Sequence, residues 1–321
     1  MDKRAARPAT VEPVEAALRA ELAHADLRAA SVAPVLRHLL AGDDQVLFAD
    51  EIVARVRGML DDLVRQLLQA IAAPFDDDRS QADQELASRL NQALADSPAL
   101  LAHLHSLALE WQVTERLQFR LALDPVLTPL VEALIGSAEP ETAALAMRLL
   151  ASQARFAQAQ RRMQLPLAEL PGDLLHGALV AFGAMVGGDT AIGERIGQAE
   201  RAIRGGYDEG RTRLGLISRL IAGMGGGALA ALRLDHAGVA IFASALAFGA
   251  HQERDTAVLA LHESQIARLA LALRAAGLKP GSIEEQLIAL HPDIVHPTGL
   301  DRIGPERAAA LLALAGVPED L

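Results

Sequence analysis

Apolar residues recur every three or four positions along almost the whole chain, and this spacing constrains the fold more than any other feature. The segment 48–71 shows it with apolar residues at Ile52, Val56, Met59, Leu63 and Leu67. Such spacing aligns apolar side chains on one face of an α-helix. Ala and Leu dominate the apolar residues, and only 3% of all residues are aromatic, whereas strands favour β-branched and aromatic residues. The sequence therefore predicts an all-α protein without a sheet.

Helix boundaries are marked by capping residues and prolines. Four sites place a proline where a helix can begin, since a first turn does not need the N–H that proline lacks: Ser97-Pro98, Thr128-Pro129, Glu139-Pro140 and Gly304-Pro305. Ser282 and Glu285 have the spacing of a capping box, and Asp173 can cap a helix after LPLAELPG. The predicted helices are 11–26, a short one from Ser31, 48–71, 84–96, 98–122, 129–136, 140–163, 173–186, 190–222, 228–249, 252–276, 282–290 and 305–315.

The chain has 321 residues, enough for two domains or one extended helical array. The stretch FDDDRSQAD is acidic and poor in apolar residues, which predicts a linker. The predicted organisation is a disordered tail at 1–10, a helical subdomain at 11–74, the linker at 75–83, a main helical domain at 84–278 and a C-terminal helical cap at 279–321. Because no repeat of fixed period is found, we expect an irregular array of antiparallel helices, either HEAT-like or a large helical bundle.

Charge and cysteine content exclude several classes of protein. The net charge of −11 argues against binding to nucleic acid through a general basic surface. Without cysteine there is no disulfide, thiolate metal site or cysteine nucleophile. The longest apolar stretches, Ala178–Gly188 and Ala237–Ala250, are shorter than the roughly 20 residues of a membrane span. No apolar segment follows MDKRAARPATVEPVE as in a secretory signal. We expect a cytoplasmic protein without a membrane segment.

The segment 103–176 contains ALEWQVTERLQFRLALDPVLTPLVEALI and LASQARFAQAQRRMQLPLAELPGDLLH. It resembles part of a bacterial family of all-helical proteins that is known only as a domain of unknown function. The resemblance implies a helical fold, and it implies no activity, cofactor or catalytic residue.

A stripe of arginines in SQARFAQAQRRM and the residues before it is the main candidate site. On a helix, Arg148, Arg155 and Arg162 recur every seven residues, with Gln158 beside them and Arg161 next in sequence. Guanidinium groups suit bidentate recognition of carboxylate or phosphate, so the stripe can bind an acidic partner segment or a small anion. The alternatives are a solvated surface and internal pairing with carboxylates of a neighbouring helix.

Two glycine-containing segments are weaker candidates. GGYDEG at 205–210 lies within a basic run and is either a mobile binding loop or a plain turn between helices. AGMGGGALAAL at 222–232 lacks the lysine and the preceding strand of a phosphate-binding loop, so we expect a flexible turn or a close helix contact. The basic run consists of Arg195, Arg201, Arg204, Arg211, Arg213 and Arg219.

The histidines give no metal site that we would predict. His251, Asp255 and His262 would share one face of a helix, but residues 251 and 262 would stand about 16 Å apart along it. Glu21-x-x-His24 is a single copy of a motif that di-iron bundles use twice, and His103 and His105 point to different faces. We expect structural or surface histidines, no metal and no cofactor.

The C-terminal IGPERA at 303–308 resembles the second half of a helix–hairpin–helix, a motif that holds a nucleic-acid phosphate. Arg302 stands where that motif wants glycine, and the surrounding residues are acidic.

The leading functional hypothesis is a non-enzymatic helical protein that binds another protein or its own second copy through the arginine stripe. The alternative is an enzyme or small-ligand receptor with a pocket between helices, using His251 and Asp255 or the arginines as polar anchors. A third hypothesis is a nucleic-acid accessory protein that acts through the C-terminal hairpin.

Overall fold

The computed structural model describes residues 12–41, 51–71, 81–186 and 190–314. This part of the chain forms fourteen α-helices and six short 3-10 helices and contains no strand, which confirms the all-α prediction. The α-helices are α1 (Glu12–Ala41), α2 (Glu51–Gln69), α3 (Gln81–Ala95), α4 (Pro98–Leu121), α5 (Pro129–Ile135), α6 (Pro140–Arg161), α7 (Gly172–Gly183), α8 (Thr190–Gly206), α9 (Arg213–Met224), α10 (Leu234–Ala250), α11 (Arg254–Leu259), α12 (Ile266–Ala275), α13 (Pro280–Leu290) and α14 (Pro305–Leu314).

Several helices begin where the sequence predicts. α4, α5, α6 and α14 all start at the expected proline. The Ser97 side chain accepts a hydrogen bond from the N–H of Leu100 at 3.3 Å, and Thr128 accepts one from Val131 at 3.4 Å. These caps satisfy N–H groups that the first turn leaves without a backbone partner.

Two other predicted helix starts are wrong. α13 begins at Pro280, preceded by Lys279, so Ser282 lies inside the helix and is not its cap. α7 begins at Gly172 after Pro171, and Asp173 lies in its first turn. In α13 the proline takes the first helical position, for which its fixed φ is suited, and this moves the start two residues upstream.

Three predicted helix spans are also wrong. The predicted helix 190–222 is interrupted between α8 and α9, where the Thr212 side chain caps α9 by accepting a hydrogen bond from Gly215 at 3.0 Å. The predicted helix 252–276 is divided into α11 and α12. The two helices expected around Ser31 are instead one, α1, which contains Pro34.

The chain divides into two compact units. The central unit, Val32–Gly225, contains α2 to α9 and the end of α1. In it α2 packs against α3 and α4, α6 packs against α5 and α9, and α7 packs against α3 and α8. Its core includes four of the five residues whose spacing predicted α2, all inaccessible to solvent: Val56, Met59, Leu63 and Leu67.

The terminal unit combines Met1–Ser31 with Gly226–Leu321. α12 packs against α10, α13 and α14, and all its residues from Leu269 to Leu273 are fully buried. The first part of α1 also belongs to this unit: Arg268 forms an ion pair with Asp26, and the amide of Gln265 donates a hydrogen bond to the Ala25 carbonyl at 2.7 Å.

These units do not follow the boundaries expected from the sequence. The division falls inside α1 and after α9, whereas the sequence analysis placed boundaries at the acidic linker and after residue 278. The predicted tail at 1–10 and most of the linker, 75–80, lie outside the described residues, and 81–83 form the start of α3. No helix in the described ranges combines the length and the apolarity needed to cross a membrane.

Candidate functional site

The candidate site lies on α6, whose inner face belongs to the core of the central unit. Leu149, Phe156 and Ala157 on that face are 5% exposed or less. The helix ends at Arg161, after which Met163 takes a positive φ of 54° and the chain turns back toward α7. These observations define the face of α6 that packs in the core and the point at which the helix ends.

A glycine of α2 allows the end of α6 to approach closely. A Cβ atom on Gly58 would lie 2.6 Å from the Met163 Cβ and 2.9 Å from the Met163 carbonyl oxygen. Real Cβ atoms do not make such contacts, so a larger residue at position 58 would force the two segments apart.

The predicted site residues all lie on the outer side of this helix or at its end. Arg148, Arg155, Gln158, Arg161 and Arg162 are all exposed. The arginines at 148, 155 and 162 follow one another at seven-residue intervals, which is about 10.5 Å along a helix. The cationic row expected from the sequence is therefore at the surface, and within the described ranges these arginines show no internal pairing, which was one of the alternatives.

These arginines have no carboxylate partner in the described part of the chain. The guanidinium groups of Arg148, Arg155, Arg161 and Arg162 form neither an ion pair nor a hydrogen bond there. Other arginines contrast with them, because each forms an ion pair with Asp or Glu: Arg55, Arg65, Arg213, Arg268 and Arg307. The outer face of α6 thus concentrates unpaired positive charge on a chain whose net charge is −11.

A buried ion pair lies against the inner face of α6. Arg213 and Glu110 are 2% and 1% exposed, and two hydrogen bonds of 2.5 and 3.2 Å join the guanidinium to the carboxylate. Gln153 of α6 accepts a third bond from Arg213 at 3.4 Å and donates to the Pro125 carbonyl at 3.0 Å. Because each charged group is paired and bonded, the cluster is tolerated in the core.

Aromatic rings connect this ion pair to a second buried arginine. The guanidinium of Arg213 lies 3.6 Å from the ring centre of Phe156, which meets Trp111 edge to face at 6.4 Å. Arg55 of α2 lies 5.9 Å from the ring centre of Trp111 and donates a hydrogen bond to the Gln160 carbonyl. Polar and aromatic contacts from α2, α4 and α9 therefore fix α6 in position and orientation.

Most of this buried cluster was not predicted from the sequence. Arg213 was included only in the basic run near GGYDEG, and neither Glu110 nor Arg55 was singled out. The pairing joins residues 103 positions apart, and in a single sequence a buried arginine looks the same as an exposed one. The one available signal is that Glu110 adjoins Trp111, the only tryptophan of the chain, within an apolar stretch.

The segment GGYDEG comprises the last two residues of α8 and the first part of the turn that leads to α9. The Tyr207 hydroxyl donates a hydrogen bond to the Leu170 carbonyl at 2.8 Å, and Asp208 caps the short 3-10 helix Glu209–Arg211. Burial, together with four neighbouring carboxylates, raises the pKa of Tyr207 to about 12. The carboxylates belong to Glu209, Asp173, Glu169 and Asp208. These contacts favour the plain turn over the mobile loop.

The residues proposed for a shared histidine face lie on separate elements. α10 ends at Ala250, and His251 follows it in the left-handed conformation with φ 52°. Asp255 lies in α11, and His262 caps the next 3-10 helix. The prediction of one common helical face is therefore wrong, because the chain turns at His251. In the described ranges, no three His, Asp or Glu side chains are grouped as a metal ion would require.

The remaining two candidates have simple local structures. Gly225–Leu232 is a 3-10 helix after α9, so the glycine-rich segment is neither a loop after a strand nor part of the helix predicted from 228. Near the C terminus, Arg302 ends a 3-10 helix and α14 begins at Pro305. Arg307 there is paired with Glu15, which leaves less free positive charge for a phosphate.

The chain matches no model of a known protein family, none of the curated proteins and none of the solved structures with which it was compared. The resemblance of 103–176 to an uncharacterised helical family stays a prediction. The function proposed below rests on the sequence and on the geometry of the described residues.

Proposed function

We propose that this chain is a non-enzymatic interaction protein of the cytoplasm that binds an acidic protein partner through the outer face of α6. The observation that supports the proposal is the row of exposed arginines without carboxylate partners in the described part of the chain. Three exposed guanidinium groups on α6 and a fourth at its C-cap attract carboxylates, and their planar shape favours bidentate hydrogen bonds.

The inner face of α6 supports the same proposal. An interface binds with less loss of entropy when its side chains stand on a rigid element. Gln153, Phe156 and Gln160 attach α6 to the ion pair, the aromatic rings and Arg55, all within the core. The arginines therefore project from a fixed helix rather than from a loop.

Charge reversal tests the proposal directly. Replacing Arg155 and Arg162 together by glutamate should abolish partner binding, because like charges facing each other at an interface cost several kcal/mol. Folding should hardly change, because exposed charges contribute only about 0–1 kcal/mol each. Proteins captured by the purified wild type and by the R155E/R162E variant are compared by mass spectrometry, and thermal unfolding is measured in parallel.

A matched control separates this face from charge in general. Arg28 of α1 and Arg89 of α3 are also exposed, so R28E/R89E makes the same change of net charge elsewhere. The control should keep the partner. If both double variants lose it equally, or if R155E/R162E keeps it, α6 is not the binding surface. A large drop in the melting temperature of R155E/R162E would instead show that these arginines stabilise the fold.

A second candidate function is that of a small-ligand receptor. Three buried polar atoms in the central unit favour it. Trp111 Nε1, Ser152 Oγ and Gln160 Oε1 have no hydrogen-bond partner among the described residues. Buried polar groups are normally bonded, and a polar ligand held between α4 and α6 would satisfy them. Native mass spectrometry of the purified protein tests this: a stoichiometric small molecule that is released on unfolding would support the receptor.

A further inference from the structure

Six exposed positions along α6 are regularly spaced, and this spacing is a second feature of the face besides its positive charge. These six lie at alternating intervals of four and three residues along α6 and its C-cap: Ala144, Arg148, Ala151, Arg155, Gln158 and Arg162. The exposed Met147 and Arg161 lie outside this row. This alternation is the spacing by which one helix contacts another along a coiled-coil seam. Along the seam, arginines occupy every second position and alanine or glutamine the positions between.

We infer that the segment bound by α6 is itself an α-helix with acidic residues repeated every seven positions. This inference rests on the proposed function and specifies the partner. A helical partner repeats a side chain on the same face every 10.5 Å or so, which matches the interval between successive arginines. In an extended strand, side chains on one face are about 6.7 Å apart and do not coincide with all three arginines.

The small residues of the seam favour the same partner. Ala144 and Ala151 are exposed and have no side chain beyond Cβ, so they leave room for the larger side chains of a facing helix. Two packed helices have their axes about 8–10 Å apart, and the size of the side chains at the contact sets this distance. The charged positions keep the seam polar, and polar seam positions fix register at some cost in stability. The expected complex is specific in register and reversible.

Synthetic peptides test the spacing. The first probe is a labelled Ala/Gln helix of about three heptads with glutamates seven residues apart, so that they share one face. The matched probe has the same composition with glutamates five residues apart, which turns each by about 140° around the helix. A third probe keeps the seven-residue spacing in a Gly/Ser chain that does not form a helix. Circular dichroism verifies that the first two probes are helical and the third is not, and fluorescence anisotropy at low salt measures binding to the full chain.

The aligned helix should bind about tenfold more tightly than the staggered helix, because the staggered one loses two of three ion pairs. R155E/R162E should abolish this binding, while R28E/R89E should retain it. Equal binding of all three peptides, lost in R155E/R162E, would overturn the helical inference and leave the acidic-partner proposal standing. Failure of every peptide to bind would also overturn the inference, whereas the capture experiment decides the proposed function independently.

Two further results would assign the face to another occupant and overturn the inference. One is a dimer of the purified chain in sedimentation that R155E/R162E dissociates. The other is tighter binding of duplex DNA than of the aligned peptide, again lost in R155E/R162E.

Discussion

At the scale of single residues, the 30 basic side chains fall into groups with different roles. Arg213 is buried against Glu110 and stacks on Phe156, whereas Arg155 is exposed and unpaired within the described ranges. The seven-residue spacing of Arg148, Arg155 and Arg162 predicted that they share one face of a helix, but it left open whether that face is exposed or paired internally. The identical side chain at 213 gave no such signal, because its environment is created by residues of α4 and α6 that are distant in sequence.

The buried ion pair gives a prediction for stability. Arg213→Met should lower the free energy of unfolding by about 3–5 kcal/mol, because it leaves the Glu110 carboxylate buried without its cation. The double variant Glu110→Leu/Arg213→Met should recover most of that loss, since an apolar pair avoids the desolvation of two charges. Urea unfolding followed by the fluorescence of Trp111, the only tryptophan, measures both. A single variant as stable as the wild type would show that the pair contributes little.

At the scale of helices, the beginnings were easier to predict than the breaks. Ser97, Thr128 and the prolines after them act through the first turn of their own helix, so the local sequence contains the information. The breaks that were missed lie inside the predicted helices 190–222 and 252–276, between α8 and α9 and between α11 and α12. Packing against other helices decides such breaks, and a periodicity argument cannot detect them. The same limit explains why α6 was expected to end at 163 and ends at 161.

The contact between α2 and the end of α6 can be tested by a substitution. Gly58→Ala should lower the stability of the central unit by about 1–3 kcal/mol, because the new methyl group would overlap Met163. The matched control is Gly177→Ala in α7, where a Cβ atom meets nothing within 4 Å. This control should be neutral or stabilise by about 0.5–1 kcal/mol, as alanine favours a helix interior. Equal effects of the two substitutions on the urea midpoint would contradict the close approach.

At the scale of the whole molecule, the terminal unit unites the two ends of the described chain. Glu15 near the start of α1 accepts hydrogen bonds of 2.8 and 2.5 Å from Arg307 of α14. No local pattern relates residues 292 positions apart, so the sequence analysis assigned them to different domains. The pattern of apolar residues predicts that each helix has a buried face, but it does not identify the helix that covers it.

This ion pair predicts how the terminal unit responds to pH. The hydrogen bond from Arg307, followed by its charge, holds the pKa of Glu15 below its ordinary value of 4.5. A lowered pKa in the folded state means that the pair stabilises above pH 4.5 or so and loses this contribution as pH falls through the folded value. Arg307→Gln should therefore speed amide exchange in α14 at pH 7, and the difference from wild type should shrink toward pH 3 or so.

The control for this prediction is Arg302→Gln, which removes an exposed arginine without an ion pair in the described part of the chain. It should leave the exchange of α14 unchanged at both pH values. If Arg307→Gln changed the amide exchange of α14 equally at both pH values, packing and not the charge of Glu15 would connect α1 to α14.

The division inside α1 also has a consequence for synthesis on the ribosome. The segment Glu12–Ser31 emerges before the groups that it contacts, such as Gln265 and Arg268, which lie about 240 positions later in the chain. At about 5–20 residues per second, this delay amounts to roughly 10–50 s. During that time Val32–Gly225 can fold completely, while the apolar face of the early segment, with Leu18 and Leu22, has no permanent cover. Nascent chains of this protein should therefore depend on chaperones most strongly before α12 leaves the exit tunnel.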